Sequence, residues 1–141
     1  MTEIRHAKPS DVKELMKLNI LFNGENCTTY EKMEDSIRSN KDEVIYVASD
    51  EDKLVGFCCA SIMKSACYSY LYGEVTELFV LKEYRRQGIG KELLQHTEKE
   101  LSRYGVTHIH ILTRVDNSAA KTLYHSCGYN DTPEMLLDKN L

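Results

Sequence analysis

The heptapeptide Arg85-Arg86-Gln87-Gly88-Ile89-Gly90-Lys91 constrains the fold of this chain more than any other feature. It follows the apolar run Leu78-Phe79-Val80-Leu81 and precedes a long helical pattern, so the order is strand, glycine-containing corner, helix. A helix that begins at such a corner directs unpaired backbone N–H groups, and the positive end of its dipole, at one point. Gly88 and Gly90 let a ligand approach the backbone closely, and the neighbouring cationic side chains add charge. The segment predicts a site for a pyrophosphate-sized anion.

Three known glycine motifs are candidates for the sequence at this corner. A P-loop has four residues between its glycines and a hydroxyl residue after its lysine, whereas one residue separates Gly88 from Gly90 and a glutamate follows the lysine. A dinucleotide-binding fingerprint needs a third glycine where Leu93 stands, and normally lies in the first βα unit. A strand-to-helix turn built for backbone reasons alone would also contain glycines. The remaining motif is Arg85-x-x-Gly88-x-Gly90.

This motif resembles the coenzyme A loop of the GNAT N-acetyltransferase superfamily. Upstream, Glu74-Val75-Thr76-Glu77-Leu78-Phe79-Val80 is similar to the fourth strand of that family. Downstream, Asn117-x-Ala119-Ala120-x-x-x-Tyr124-x-x-x-Gly128-Tyr129 is similar to its second signature, with tyrosine where phenylalanine is more frequent at the last position. The resemblance is specific over residues 74–129 and looser elsewhere. The chain is identified as a member of this superfamily.

The resemblance implies direct transfer of an acetyl group from acetyl-CoA to an amine. It implies that the fourth strand separates from the fifth at a bulge, so that strand backbone holds the pantetheine arm and the corner holds the pyrophosphate. Tyr124, seven residues after Asn117, would protonate the departing thiolate, and Asn117 would both cap its helix and contact the arm. The cofactor contacts implied are Leu78, Phe79, Val80, Arg85, Arg86, Gln87, Gly88, Ile89, Gly90, Lys91, Asn117, Ala120 and Tyr124.

A carboxylate must also take a proton from the substrate ammonium, either directly or through water. Glu74 lies six residues before Val80, where members of the family often carry this base, and Glu77 lies three residues before it. Strict strand alternation places the two carboxylates on opposite faces, but a bulge between them would change that parity. Glu74 is the preferred base, Glu77 is the second candidate, and a water chain is the third.

Composition and net charge limit the other classes of protein to which the chain can belong. The 141 residues suit one domain, residues 1–141, with 42% hydrophobic and 28% charged residues. No apolar run approaches the ~20 residues of a membrane span, and the first residues lack the apolar region of a signal peptide, so we expect a cytoplasmic protein. The five cysteines form no CxxC pair, which indicates reduced thiols and no metal site. The net charge of −4 argues against nucleic acid and is compatible with a cationic substrate.

The hydrophobic pattern predicts an α/β fold, a mixed and mostly antiparallel central sheet with helices on both faces. One helix is expected to start at Pro9-Ser10-Asp11, with Ser10 or Asp11 as N-cap and Glu14 in a capping box. The segment after Tyr129 is short for the C-terminal hairpin of the family, so a second subunit is a candidate to complete the acceptor cleft in a homodimer. Strands are predicted at residues 2–7, 43–48, 53–63, 68–81, 106–113 and 135–140, and further helices at residues 30–39, 91–104 and 117–127.

The predicted function is acetyl-CoA-dependent N-acetylation of a small cationic amine such as an aminoglycoside or a polyamine. Protein or peptide amines are the alternative acceptors, and amino acids are a further class. A sensor that binds acetyl-CoA without catalysis would keep the glycine corner but has no need of Tyr124, Glu74 or Glu77. Tyr68, Tyr70 and Tyr72 alternate and are candidates for cross-strand packing or for a cleft wall. His108 and His110 share a strand face, where a structural role is the simpler interpretation.

Overall fold

The computed structural model describes all 141 residues, which form five strands and four α-helices. The strands are β1 (Thr2–His6), β2 (Glu43–Asp50), β3 (Lys53–Met63), β4 (Leu71–Val80) and β5 (Val106–Ile111). The helices are α1 (Val12–Asn23), α2 (Tyr30–Ser39), α3 (Ile89–Arg103) and α4 (Ser118–Ser126). None of these helices has the length and apolar character needed to cross a membrane.

The five strands form one mixed sheet in the order β1-β2-β3-β4-β5. The first three pairings are antiparallel, and β4 pairs with β5 in parallel because α3 carries the chain back between them. A parallel pair requires such a crossover connection. The predicted α/β class with a mostly antiparallel sheet is confirmed.

Helices cover both faces of the sheet, and each face has its own apolar core. On one face, which we call the α1 face, Leu15 and Leu18 of α1 pack against Val47 and Phe57 of the sheet. On the opposite α3 face, the fully buried residues of α3 contact a larger cluster from β2, β3 and β4. Leu93, Leu94 and Leu101 recur at helical spacing, which explains why this stretch of the sequence forms an amphipathic helix.

The prediction of a last strand at residues 135–140 is wrong for this structure. Residues 130–141 contain no strand, and none of their backbone groups takes part in a hydrogen bond with another backbone group. The other elements lie close to the predicted positions, although β4 begins at Leu71, so that Tyr68 and Tyr70 precede the strand.

The predicted capping box of the first helix is also wrong. The carboxylate of Asp11 accepts hydrogen bonds from the Arg5 guanidinium, at 2.7 and 3.0 Å, and from the Lys8 backbone N–H, at 2.8 Å. Asp11 stands at the N-cap position of α1, as predicted, but its side chain makes no cap hydrogen bond to that helix. It caps the preceding short turn at residues 9–11 and ties that turn to β1. Glu14 accepts a hydrogen bond from the Leu54 N–H at 2.9 Å, which joins α1 to β3.

We expect Asp11→Asn to lower the free energy of unfolding at pH 7 by about 2–3 kcal/mol, since a nearly buried, charge-assisted pair is lost. Burial by itself raises the pKa of Asp11, but the hydrogen bonds from Arg5 and Lys8 outweigh it and lower the pKa below the ordinary value. This stabilisation is complete above the ordinary carboxyl pKa of about 4. It is lost as the pH falls through the lower pKa of the folded state.

Urea unfolding of the wild-type protein and the variant at several pH values measures this effect. The difference in the free energy of unfolding between the two proteins should shrink as the pH falls below the pKa of an ordinary carboxyl group. Asp52→Asn, at an exposed turn residue outside any ion pair, should change stability little at either pH and serves as the control. A difference between wild type and Asp11→Asn that does not depend on pH would contradict the role given to the charge.

Candidate active site

The strands β4 and β5 separate in the middle of β4. The strand β5 pairs only with residues 71–75 of β4, so residues 76–80 continue without a strand partner on that side. The separation begins beside a bulge, because Cys59 pairs with Glu77 and Ala60 with Val75, which leaves Thr76 unpaired. Leu78 and Val80 therefore direct backbone groups at an open gap, as their predicted pantetheine contacts require, whereas the Phe79 carbonyl faces Gly56 of β3.

A row of free amides lies at the beginning of α3. The backbone N–H groups of residues 86–91 have no acceptor in the protein, whereas the next amide, of Glu92, bonds to the Gly88 carbonyl at 3.0 Å. Gly88 has φ +83° and ψ +2°, and a Cβ on it would have no atom within 4 Å. Buried Ile89 fixes this turn against the core of the α3 face. The arrangement combines free donors, a helix N-terminus and open space, which is the chemistry of an anion site.

The two arginines of the corner differ in their contacts. The Nε atom of Arg85 donates to the Val80 carbonyl at 2.8 Å, and its guanidinium lies 5.7 Å from the centre of the Phe79 ring. Arg85 therefore joins the corner to the end of β4 and stabilises its position there. Arg86, with φ +62°, turns the chain so that the amides of the following residues point outward, and its side chain and that of Lys91 are exposed.

The helix α4 begins with the predicted cap and carries the predicted acid. The Oδ1 atom of Asn117 accepts a hydrogen bond from the Ala120 N–H at 3.1 Å, so the capping role of Asn117 is confirmed. Tyr124 packs against the core of the α3 face, and its hydroxyl has no hydrogen-bond partner. Burial raises its pKa above the ordinary value, and the Cys58 thiol contributes. Tyr124 therefore keeps its proton at neutral pH, as a general acid must.

The bulge at Thr76 places Glu74 and Glu77 on the same face of the sheet. Glu77 pairs with Cys59, which packs against the core of the α1 face, and Glu74 pairs with Ser61. Because Cys59 and Ser61 are two residues apart on β3, their side chains point to the same side. Both candidate bases therefore lie on the α1 face beside the gap. The Thr76 hydroxyl donates a hydrogen bond to the Glu77 carboxylate.

Glu43 adds a third carboxylate that the sequence analysis missed. It pairs with Ser61 across β2 and β3, in line with Glu74, and its Oε1 atom accepts a hydrogen bond from the Asn40 side chain at 3.3 Å. Burial raises its pKa, and the charge of Glu77 raises it further. None of the three carboxylates is in an ion pair. Only the strand register brings Glu43 to this place, so no local motif could have indicated it.

Aromatic rings and histidines continue this face towards the edge of the sheet. The ring centroids of Tyr70 and His108 are 4.5 Å apart, and those of Tyr72 and His110 are 5.7 Å apart. Tyr68 stacks on Tyr70 at 5.3 Å. The tyrosines and histidines therefore form one wall next to Glu74, in which Tyr68 and Tyr70 are exposed and Tyr72 is half-buried.

Comparisons with known proteins agree with this geometry. Residues 12–129 match the Acetyltransferase (GNAT) family. An N-alpha-acetyltransferase of Sulfurisphaera tokodaii is 30% identical over 135 residues, which cover 91% of this chain and 80% of that protein. The structure of AAC(6')-Iy in complex with the bisubstrate analog CoA-S-monomethyl-acetylneamine has a TM-score of 0.87 at 18% identity, covering 100% of this chain and 99% of that one. An aminoglycoside acetyltransferase from an uncultured soil metagenomic sample, in complex with sisomicin, has a TM-score of 0.83 at 17% identity. The match covers 99% of this chain and 95% of that one.

The fold and the site define an enzyme that uses an acyl-CoA, and the chain belongs to the GNAT acetyltransferase family. It is an acetyl-CoA-dependent N-acetyltransferase, as the sequence predicted. The residues present fit acetyl-CoA, because the free amides of residues 86–91 offer donors to a pyrophosphate and the unpaired edge of β4 offers backbone to the pantetheine arm. The roles of the individual side chains stay predictions.

Proposed function

We propose that this enzyme acetylates a primary amine on a small molecule that carries further positive charge, such as a polyamine or an aminoglycoside. The observation that supports this most is the group of three carboxylates on the α1 face, none with a cationic partner. Glu74 and Glu77 lie beside the gap, and Glu43 lies across β3 from Glu74. Unpaired acidic groups at a half-exposed site create a negative potential that attracts cations. The neighbouring tyrosine rings add faces on which an ammonium group can rest.

Each part of the site has a distinct task in this proposal. Acetyl-CoA, when bound, supplies an acetyl group activated as a thioester. The amides of residues 86–91 bind its pyrophosphate, and the backbone of Leu78 and Val80 aligns its arm. Glu74, where β4 and β5 separate, accepts a proton from the substrate ammonium, directly or through water. Tyr124 holds a proton on its hydroxyl for the departing sulfur.

The choice of base can be tested with matched amide variants. We expect Glu74→Gln to lower kcat/KM by roughly 10²-fold or more and to remove the acidic limb of the pH–rate profile. Glu77→Gln and Glu43→Gln should keep that limb and mainly raise KM, because each removes one charge that attracts the substrate. Steady-state rates measured from about pH 5 to about pH 9, a range that begins above the ordinary glutamate pKa, show both effects.

Loss of the acidic limb in Glu77→Gln alone would reassign the base to Glu77. If the acidic limb remains in all three variants, none of the three carboxylates accepts the substrate proton, and a water chain is favoured as the route for that proton. All three variants should bind acetyl-CoA like the wild-type enzyme, since these carboxylates lie on the α1 face and the amides of residues 86–91 begin α3. Titration with acetyl-CoA is the internal control for folding.

A peptide α-amine is the second candidate acceptor. It is favoured by the relative from Sulfurisphaera tokodaii, whose name is N-alpha-acetyltransferase and which matches 91% of this chain. The exposed wall of Tyr68 and Tyr70 would give the first side chains of a peptide an apolar surface. A sensor that binds acetyl-CoA without catalysis would leave the free hydroxyl of Tyr124 without a use.

The acceptor class is tested by mass spectrometry of products from a mixed panel of polyamines, aminoglycosides, amino acids and short peptides. We expect the highest kcat/KM for a small amine with at least two positive charges, and a fall in kcat/KM with rising salt. Preferred acetylation of peptide α-amines would replace this proposal with the second candidate.

In either case we place the enzyme in the cytoplasm, where its five free thiols stay reduced.

A further inference from the structure

A cavity lies at the β1 edge of the sheet, away from the gap between β4 and β5. Its volume is about 340 Å³, and it is enclosed by β1, the start of α1 and the turn that joins β2 to β3. Leu54 is the only hydrophobic residue in its lining. A cavity of this size can hold a small molecule, and its polar lining favours a molecule that is itself polar or charged.

Ser49 lies at the buried floor of this cavity. It pairs with Leu54, whose side chain packs in the core of the α1 face, so the Ser49 hydroxyl lies on that face as well. Ser49 is only 4% exposed, yet its hydroxyl has no hydrogen-bond partner in the protein. Every side-chain nitrogen or oxygen sealed inside the protein has such a partner, so this hydroxyl opens into the cavity. A buried hydroxyl normally has a partner, and here it is available to a ligand.

Glu14 is held beside Ser49. Its Oε2 atom accepts a hydrogen bond from the Leu54 N–H at 2.9 Å, and Leu54 is the residue that pairs with Ser49. Glu14 is in no ion pair, and its Oε1 atom makes no hydrogen bond. The fixed carboxylate and the free hydroxyl therefore offer two acceptors at one place, which is what an ammonium group with its three donors requires.

The charges around the cavity favour a ligand with more than one positive group. Arg5 and Asp11 neutralise each other in the wall, at 2.7 Å. The remaining carboxylates of the lining are exposed and outside any ion pair, and Lys8 is the only free cation among them; these carboxylates are Glu3, Glu51 and Asp52. The excess of acidic groups attracts cations. No three histidine, cysteine or acidic side chains converge to hold a metal ion, so the spread of charge suits an elongated organic cation better.

We propose that this cavity is a second binding site of the enzyme, for a small aliphatic diamine. One ammonium group donates to the Ser49 hydroxyl and the Glu14 carboxylate, and the other lies among the exposed carboxylates of the β2–β3 turn. The site is separate from the site of acetyl transfer, because β2 and β3 lie between β1 and β4. Along β2, Ser49 and Glu43 are six residues apart, or roughly 20 Å. The proposal therefore does not depend on which amine the enzyme acetylates.

NMR of the full chain, followed at single backbone amides during a titration with putrescine, tests the proposal. We expect saturable shifts of the amide signals of residues 8–14 and 49–54. Butanediol, which has the same carbon chain without the charges, should shift neither set at the same concentration. Sodium chloride keeps the ionic strength equal in all samples. Signals of residues 74–77 report separately on binding of putrescine as an acceptor.

Matched variants assign the binding to the two groups at the floor. Glu14→Gln keeps an oxygen for the Leu54 N–H but removes the charge, and it should raise the putrescine Kd measured at residues 49–54 by roughly 10-fold or more. Ser49→Ala should raise that Kd by roughly 3-fold or more, the range of a neutral hydrogen bond. Glu92→Gln, at an exposed glutamate of α3 on the opposite face, is the control and should leave the Kd unchanged.

Each contrary result has a separate meaning. Putrescine shifts confined to residues 74–77 would overturn this proposal and leave the proposed function standing. Equal shifts with butanediol, or a Kd that Glu14→Gln does not change, would also overturn it, since the charge would then have no role. Magnesium chloride that shifts residues 49–54 at lower concentration than putrescine would replace the diamine with an inorganic cation.

Discussion

The Gly88→Val variant is expected to lose measurable binding of acetyl-CoA while it stays folded. Gly88 has φ +83°, a conformation that costs a residue with a side chain about 1–2 kcal/mol and is an outlier for a β-branched one. No atom lies within 4 Å of the position of its Cβ, so the valine would project into the open space in front of the free amides. Calorimetric titration with acetyl-CoA measures the loss.

Gly105→Val is the matched control for this variant. Gly105 follows the other end of α3, has φ +90°, and likewise has no atom within 4 Å of its Cβ position. The two variants should lose similar stability, because they carry the same backbone strain, but only Gly88→Val should lose the ligand. Equal weakening of binding in both variants would mean that strain in α3, and not occlusion of the amides, is the cause.

The Tyr124→Phe variant is expected to show the second large effect, a kcat lowered by roughly 10²-fold or more with the affinity for acetyl-CoA nearly unchanged. The hydroxyl makes no hydrogen bond within the protein, so its removal costs the fold little. Because burial raises its pKa, the wild-type tyrosine stays protonated past neutral pH, and we expect no loss of kcat between pH 7 and pH 9, below the ordinary tyrosine pKa of about 10. Steady-state kinetics and a binding titration separate the two quantities.

Tyr129→Phe provides the comparison for Tyr124→Phe. The two tyrosine rings lie 6.2 Å apart, but the Tyr129 hydroxyl donates to Glu98 and so has a structural partner. We expect this variant to lose about 1–3 kcal/mol of stability, in the range of a hydrogen bond to a charged group, and to keep most of its kcat. A similar fall of kcat in both variants, or an unchanged kcat in Tyr124→Phe, would remove Tyr124 from the proton transfer.

The sequence predicted the parts of the site that depend on local order along the chain. The glycine corner, the helix after it and the cap at Asn117 follow from residues close to one another, and the structure confirms this cap and the free amides of residues 86–91. The mixed sheet and its two helical faces were also predictable, because the apolar residues recur with strand and helix periods.

The parts that depend on strand register do not follow from the local pattern. Alternation along β4 puts Glu74 and Glu77 on opposite faces; the family resemblance implied a bulge, but only the pairing of β3 with β4 places it at Thr76, between the two glutamates. Glu43 joins them because β2 pairs with β3 in one particular register. The hydrogen-bond partners of Asp11 could not be predicted for another reason. Its donors, Arg5 and the Lys8 N–H, precede the helix whose amides it was expected to bond.

The strand predicted at residues 135–140 does not form. Its apolar residues suit a strand, but a strand also needs a neighbouring edge with which its backbone groups can pair, and a sequence pattern does not show whether such an edge is within reach. The structure shows the segment and the free edge of β5 as separate features of one molecule.

The binding of coenzyme A, followed by NMR at single backbone amides, tests the central claim about this site most directly. We predict that coenzyme A shifts two sets of amide signals, those of residues 86–91 and those of residues 76–80. Pantetheine, which lacks the pyrophosphate, should shift only the second set. Binding of coenzyme A that leaves the signals of residues 86–91 unchanged would contradict the assignment of the pyrophosphate to the free amides at the start of α3.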